Sequence, residues 1–350
     1  MILSDARKFS EGKKNKACKE FLDYAIMFAN LENYNSIILE KCKESLINVE
    51  KLCKKRVELG EILNTVIVFI VSKLIEWEKY DLETAWWFKK VGELSKNAEM
   101  SHPFYWLLAA CAIYLANNKK EEAVSTASKL ADFLEKRIYK LLSRGIVTEN
   151  MHIRIQRMLN SCITLWLFVN NSEKAYTVLN NVRRFRGEDK EKPHIIQPEY
   201  LPRETTEPGV HYVIPPELSK FGELMVNAFK SYNESALNAA KEIMKMRGEK
   251  FIFETYEQEF FQSLAPSAKP FPYTSSYTWQ KIFEGVEENF KKRGEDKVIS
   301  TKRIIVLLVM AFASYLVSNG NILVSIGTFI LTLVGFLGWD KYLKRHVRTS

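Results

Sequence analysis

Apolar side chains recur three and four positions apart along most of this chain, the spacing that lines one face of an α-helix. Ser4-Asp5 reads as the N-cap of a first helix that reaches about Asn30, with Phe21, Leu22, Ala25, Ile26, Phe28 and Ala29 on its apolar side. A second helix is predicted over Tyr34 to Leu59, carrying Ile37, Ile38, Leu39, Cys42, Leu46, Val49 and Leu52 on one face and ended by Gly60. Ile62 to Trp77 is apolar enough to pass for a short membrane helix. Lys73 and Glu76 interrupt it, and Glu78 and Lys79 follow, so it reads as a buried core helix. An amphipathic helix follows Asp81, and Ser101 to Arg137 predicts two more around the turn Asn117-Asn118-Lys119-Lys120, with Pro103 suited to a first turn. Another pair flanks Asn170-Asn171-Ser172.

The pattern breaks after Gly187. Residues 187–217 hold six prolines and two glycines, and helix does not persist through such a stretch. Helices resume near Leu218, stop again over Ala265 to Tyr277, and return in a last stretch with Trp279, Ile282, Phe283, Val286 and Phe290 on one face. That stripe suits either a membrane interface or packing against the preceding helices.

The last fifty residues are different in kind. Ile304 to Ser318 and Ile322 to Trp339 carry no charge, and Asn319-Gly320-Asn321 is a helix-breaking turn between them. At about 1.5 Å per residue the legs reach about 23 and 27 Å, against a hydrocarbon core of about 30 Å. Cations and an aromatic bracket them: Lys291, Lys292, Arg293, Lys302 and Arg303 before, and Trp339, Lys341, Lys344 and Arg345 after. Snorkelling or local thinning would close the gap. The expectation is an integral membrane protein with two transmembrane helices and, by the positive-inside rule, both termini cytoplasmic. The membrane would be the plasma membrane in a prokaryote and an organelle membrane in a eukaryote. The bracketing side chains are candidate lipid or topology contacts. A re-entrant hairpin and a buried hairpin in a soluble core are the alternatives. Ala311, Ala313, Ser314, Gly327 and Gly335 offer small surfaces for packing the legs or copies of the chain, so a homo-oligomer stays open.

One aromatic-to-alanine spacing repeats. Tyr114 precedes Ala123 by nine residues, and Trp166 precedes Ala175 by nine, each across a helix turn. This resembles the tetratricopeptide helical hairpin, in which a small residue early in the second helix lets the two helices approach closely. Ala85 and Ala236-Ala239-Ala240 sit in looser versions. The regular 34-residue period is absent, and Cys111 and Ile163 stand where that family has glycine. The resemblance covers about 150 residues and implies an irregular α-solenoid, with an all-helical globule as the alternative. The expected fold is therefore all-α. A helical-repeat-like domain spans 1–186, a Pro-rich loop 187–216, a second helical segment 217–299, and a transmembrane hairpin with its basic tail 300–350.

Composition narrows the chemistry. Net charge is +9, much of it beside the proposed membrane segment, and diffuse lysine on helix faces is solvation, so nucleic acid is not indicated. Five scattered cysteines without CxxC spacing read as reduced, buried thiols. No Gly-rich phosphate cradle, nucleophile elbow or zinc motif occurs. Glu149 and His152 form a single ExxH, where a helical di-iron site needs two. His194 and His211 lie in the Pro-rich loop without a nucleophile–base pairing. No catalytic, cofactor-binding or metal residues are therefore assigned, and no cofactor is expected. Arg183, Arg184 and Arg186 read as a solvated helix end complementing the dipole, and also suit an acidic partner or a head group. The expected function is a membrane-anchored, cytoplasm-facing helical scaffold that binds a protein partner, with Trp86, Trp87, Tyr105 and Trp106 as the candidate groove lining. The alternative is an oligomeric membrane pore or effector with a helical sensor domain.

Overall fold

The computed structural model describes residues 16–53, 57–94, 102–143, 149–185, 215–256 and 258–295. Every regular element among them is a helix. In chain order these are α1 (Lys16–Ala29), α2 (Ser36–Cys53), α3 (Val57–Glu76), α4 (Leu82–Leu94), α5 (His102–Ala116), α6 (Lys120–Leu142), α7 (Glu149–Phe168), α8 (Ser172–Phe185), α9 (Pro216–Ser231), α10 (Glu234–Arg247), the single turn α11 (Glu249–Ile252), α12 (Gln258–Leu264) and α13 (275–295). The chain divides into two compact units at Glu287/Glu288. The division falls inside α13, so 288–295 are the described residues of the second unit.

Four connections share one device. Glu78, Asn118, Asn170 and Tyr232 adopt the left-handed conformation just after α3, α5, α7 and α9. In each the next amide reaches back five residues: Lys79 to the Leu74 carbonyl, Lys119 to Tyr114, Asn171 to Trp166 and Asn233 to Ala228. This is the Schellman ending, which satisfies the orphan carbonyls of a last turn and reverses the chain. In three of them a side-chain cap then starts the next helix, whereas α6 starts after Lys119 without one. Asp81 accepts the amides of Glu83 and Thr84, Asn171 that of Lys174, and Asn233 that of Ala236. Across these connections the helices pack on each other, α3 on α4, α5 on α6, α7 on α8 and α9 on α10, and several helices pack on the next but one.

The small residues sit where the helices come closest. Ala85, Ala123 and Ala175 are fully buried. The Cys111 thiol donates to the Ala123 carbonyl at 3.8 Å, so α5 lies against the first turn of α6. Apolar faces make the core, and α3 is a clear case: Val66, Ile67, Ile70, Val71, Leu74 and Ile75 are buried, and Lys73 pairs with Glu76. Gly60 lies within α3 rather than ending a helix, because its cost of about 1 kcal/mol is small beside tertiary packing.

The expectation of an integral membrane protein is corrected by one finding: among the described residues no helix is long and apolar enough to cross a membrane. Length and apolarity do not coincide in them. The 15-residue α5 is strongly apolar but reaches only about 23 Å, while the 20-residue α3 carries Glu58, Glu61, Lys73 and Glu76. The two uncharged legs, 304–318 and 322–339, lie outside the described residues, as do the Ser4-Asp5 cap and the Pro-rich segment 186–214.

Candidate functional site

Helix α7 carries an unusual inner face. Gln156, Asn160 and Thr164 stand four residues apart, with Ser161 beside them, and all four are buried. Buried polar groups need partners, and these find backbone. The Asn160 amide donates to the carbonyls of Leu218 (2.9 Å) and Ile252 (3.3 Å), and Gln156 Nε2 donates to the side-chain oxygen Oδ1 of Asn160 at 3.3 Å. Arg157 Nε donates to the Phe251 carbonyl at 3.1 Å, and the Ser161 hydroxyl accepts the Glu254 amide at 2.9 Å. From the other side the Trp279 indole donates to the Glu254 carbonyl at 3.0 Å, and Ser275 holds both the amide and the carbonyl of Tyr256. Phe253 stacks on Trp279 at 4.4 Å and meets Phe221 edge-on.

The short non-helical run after α11 is thus clamped by side chains that replace sheet partners. The chain then returns toward the earlier helices. Phe260 packs on Tyr105 (5.0 Å) and Trp106 (5.3 Å), Phe261 on Trp106 (5.6 Å) and Phe88 (5.9 Å), and Phe271 on Phe88 and Tyr80. Lys269 ends this return paired with Glu78 at 2.8 Å.

This places the aromatic residues singled out in the sequence. Trp87 and Trp106 are buried, with 0% and 2% of their surface exposed, and Trp106 lies under Phe260 and Phe261. Trp86 and Tyr105 keep part of their surface. Trp86 takes the ammonium groups of Lys43 and Lys90 on its ring, each at 5.3 Å. The four residues therefore do not form one open lining. Lys291, Lys292 and Arg293 are exposed on α13, and Lys302, Arg303, Trp339, Lys341, Lys344 and Arg345 lie outside the described residues.

An open cleft of about 440 Å³ lies elsewhere, between α8 and α9. On α8, Tyr176, Asn180 and Arg183 stand at i, i+4 and i+7, which puts them on one face. On α9, Lys220, Glu223, Asn227 and Lys230 stand at i, i+3, i+7 and i+10, again on one face. Leu179 and Leu224 supply apolar surface. Arg183 pairs with Glu223 at 2.5 Å, and the Lys230 ammonium sits 4.1 Å from the centre of the Tyr176 ring. Arg183 and Tyr176 are seven residues apart on α8, as are Glu223 and Lys230 on α9, so the helices run antiparallel with a bridge at each end of a two-turn interval. The sequence had marked Arg183 through its basic cluster. It gave no sign of the α9 wall, because nothing local says which helix faces α8 across the Pro-rich segment.

No protein-family model, curated protein or solved structure matches the chain. Among the described residues no group of three or more His, Cys, Asp or Glu side chains is placed to hold a metal ion.

Proposed function

We propose that this chain is a helical scaffold that binds a protein partner, with the α8–α9 cleft as its contact surface. On this reading the successive hairpins are an irregular α-solenoid resembling tetratricopeptide arrays, whose use is to hold surfaces in fixed relation. The observation that carries the reading is the cleft itself: two antiparallel helix faces on which buried Leu179 and half-buried Leu224 lie beside exposed Lys220, Asn227 and Lys230. Interfaces of this composition suit a protein segment, with buried apolar area for affinity and polar groups for register. The inner aromatic residues serve packing, since the chain's own Phe260, Phe261 and Phe271 take their faces.

A photo-crosslinking residue at Asn227 in the full chain, expressed in its own cells, tests this. A discrete protein adduct is expected at Asn227 and not at Glu121, an exposed position on α6. Equal adducts at both positions, or none at either, would remove the reading.

A further inference from the structure

We infer that the α8–α9 cleft takes an extended acidic peptide, with asparagine amides on both walls reading its main chain and lysines at the rim reading its carboxylates. This rests on the partner-binding reading above and names the class of partner. Three features of the cleft point the same way.

The first is size. The bridges Arg183–Glu223 and Tyr176–Lys230 are two helical turns apart on each wall. Seven residues at about 1.5 Å make the interval about 10 Å long, which spans about three residues of extended peptide at about 3.3 Å each.

The second is the hydrogen-bonding character of the walls. Asn180 and Asn227 face the same space from opposite helices. Asn227 accepts from Ser231 through its carbonyl oxygen at 3.2 Å, which leaves its amide hydrogens to donate. An amide offers a donor and an acceptor together, the complement of a peptide unit. A helical ligand has already spent its main-chain groups on itself, whereas an extended one has them to share.

The third is charge. Among the described residues the cleft holds Arg183, Lys220 and Lys230 against the carboxylate of Glu223, so three cations less one anion leave an excess of two. Glu223 is engaged by Arg183. A carboxylate on the occupant compensates that excess, and a lysine on the occupant adds to it.

Fluorescence polarisation with the full chain decides the matter. The probes are three fluorescein-labelled peptides of alternating residues: Glu with Leu, Gln with Leu, and Lys with Leu. The Glu peptide is expected to bind at least tenfold tighter than the Gln peptide and to weaken as salt rises from 50 to 500 mM. K220E/K230E, two exposed positions, is expected to lose that preference at least tenfold and to favour the Lys peptide, with an unchanged helical circular-dichroism spectrum. The double variant Asn180→Ala/Asn227→Ala is expected to weaken the Glu and Gln peptides by the same factor. Equal binding of all three peptides would overturn the acidic assignment while leaving a protein-binding cleft. No peptide binding together with a persistent adduct at Asn227 would overturn the extended-peptide assignment and leave the scaffold. A concentration-dependent dimer abolished by K220E/K230E would give the surface to a second copy and overturn the inference. Binding that appears only when 186–214 is exchanged for a Gly/Ser linker would give it to the chain itself, with the same result.

Discussion

The side-chain amide of Asn160 donates to the carbonyl oxygen of Leu218 at 2.9 Å in a place with no exposed surface, tying the middle of α7 to the first turn of α9. The same amide reaches Ile252, so one side chain holds two segments distant in sequence. Replacing it with Ala removes these two hydrogen bonds and the one from Gln156 together. Each contributes about 0.5–1.5 kcal/mol net, and the expected loss is roughly 3 kcal/mol. Asn160→Asp should cost more, because it removes the donor and adds a buried charge. Urea midpoints at constant m-value measure this. A loss under about 0.5 kcal/mol would show that the Asn160 amide does not tie the two segments together.

Gly92 brings α4 against α5. A methyl group there would stand 2.6 Å from Leu107 Cγ and 3.2 Å from the Pro103 carbonyl oxygen. Cγ is a branch point rather than a free end, and a backbone oxygen does not step aside. Overpacking costs about 1–3 kcal/mol, and the better helix propensity of Ala returns about 1 kcal/mol. Gly92→Ala is therefore expected to lose about 1–2 kcal/mol in chemical denaturation, and a gain would mean the two helices can separate at that point.

Two of the tryptophans should differ in how much they stabilise the fold. Trp106 is buried against Phe88, Phe260 and Phe261, and truncation to Ala should cost about 3–5 kcal/mol. Trp86 keeps exposed surface and two lysine contacts, so Trp86→Ala should cost about 1 kcal/mol. Thermal melts of the two variants check the contrast. Equal losses would contradict the packing described.

Glu254 is buried beside Arg154, which donates to one carboxylate oxygen through Nε at 3.1 Å and Nη2 at 2.9 Å. Burial pushes its carboxyl above the ordinary glutamate value, while Arg154, Arg157 and Arg137 pull it down. Burial prevails because the Arg154 side chain is 45% exposed and screened by water. A raised folded value means the folded state holds the proton more tightly. Its contribution to stability is present at low pH and is lost as pH rises from the ordinary carboxylate range through the folded value. Glu254→Gln removes that dependence. The variant should gain on the wild type as pH rises through that window, as read from denaturation at several pH values. A gain in the opposite direction would mean the ion pair with Arg154 prevails.

Burial also pushes the thiols of Cys42 and Cys111 up to about 12, and that of Cys162 up as well. Cys18 is buried too. A neutral buried thiol is a poor nucleophile. Peptide mapping after brief iodoacetamide treatment of the native protein should leave these four unmodified, and all four should label in denaturant. Fast native labelling of any of them would show that its helix pair opens.

Much of the fold was legible because it is local. Spacing alone placed the helices, and Asn118 and Asn170 announced two of the four turns, since asparagine tolerates the left-handed conformation that ends those helices. Glu78 and Tyr232 fill the same role without a sequence signal, so half of the repeated device was hidden. The stripe Gln156, Asn160, Thr164 was visible as polar residues four apart in an otherwise apolar helix, and its spacing was the available clue to a clamp. The membrane expectation came from segments outside the described residues, and no described helix supplies a span.

Sequence by itself determined that this chain is helical, where most helices lie and which residues are apolar, because those properties depend on neighbours within about one turn. Tertiary structure decided what each face meets. It put Phe260 and Phe261 over Trp106, sent Arg157 and Asn160 to backbone nearly a hundred residues away, and set α8 against α9 across the Pro-rich segment. Such pairings follow from the fit of whole surfaces and from the need of every buried polar group for a partner, and neither is written in the spacing along one strand of sequence.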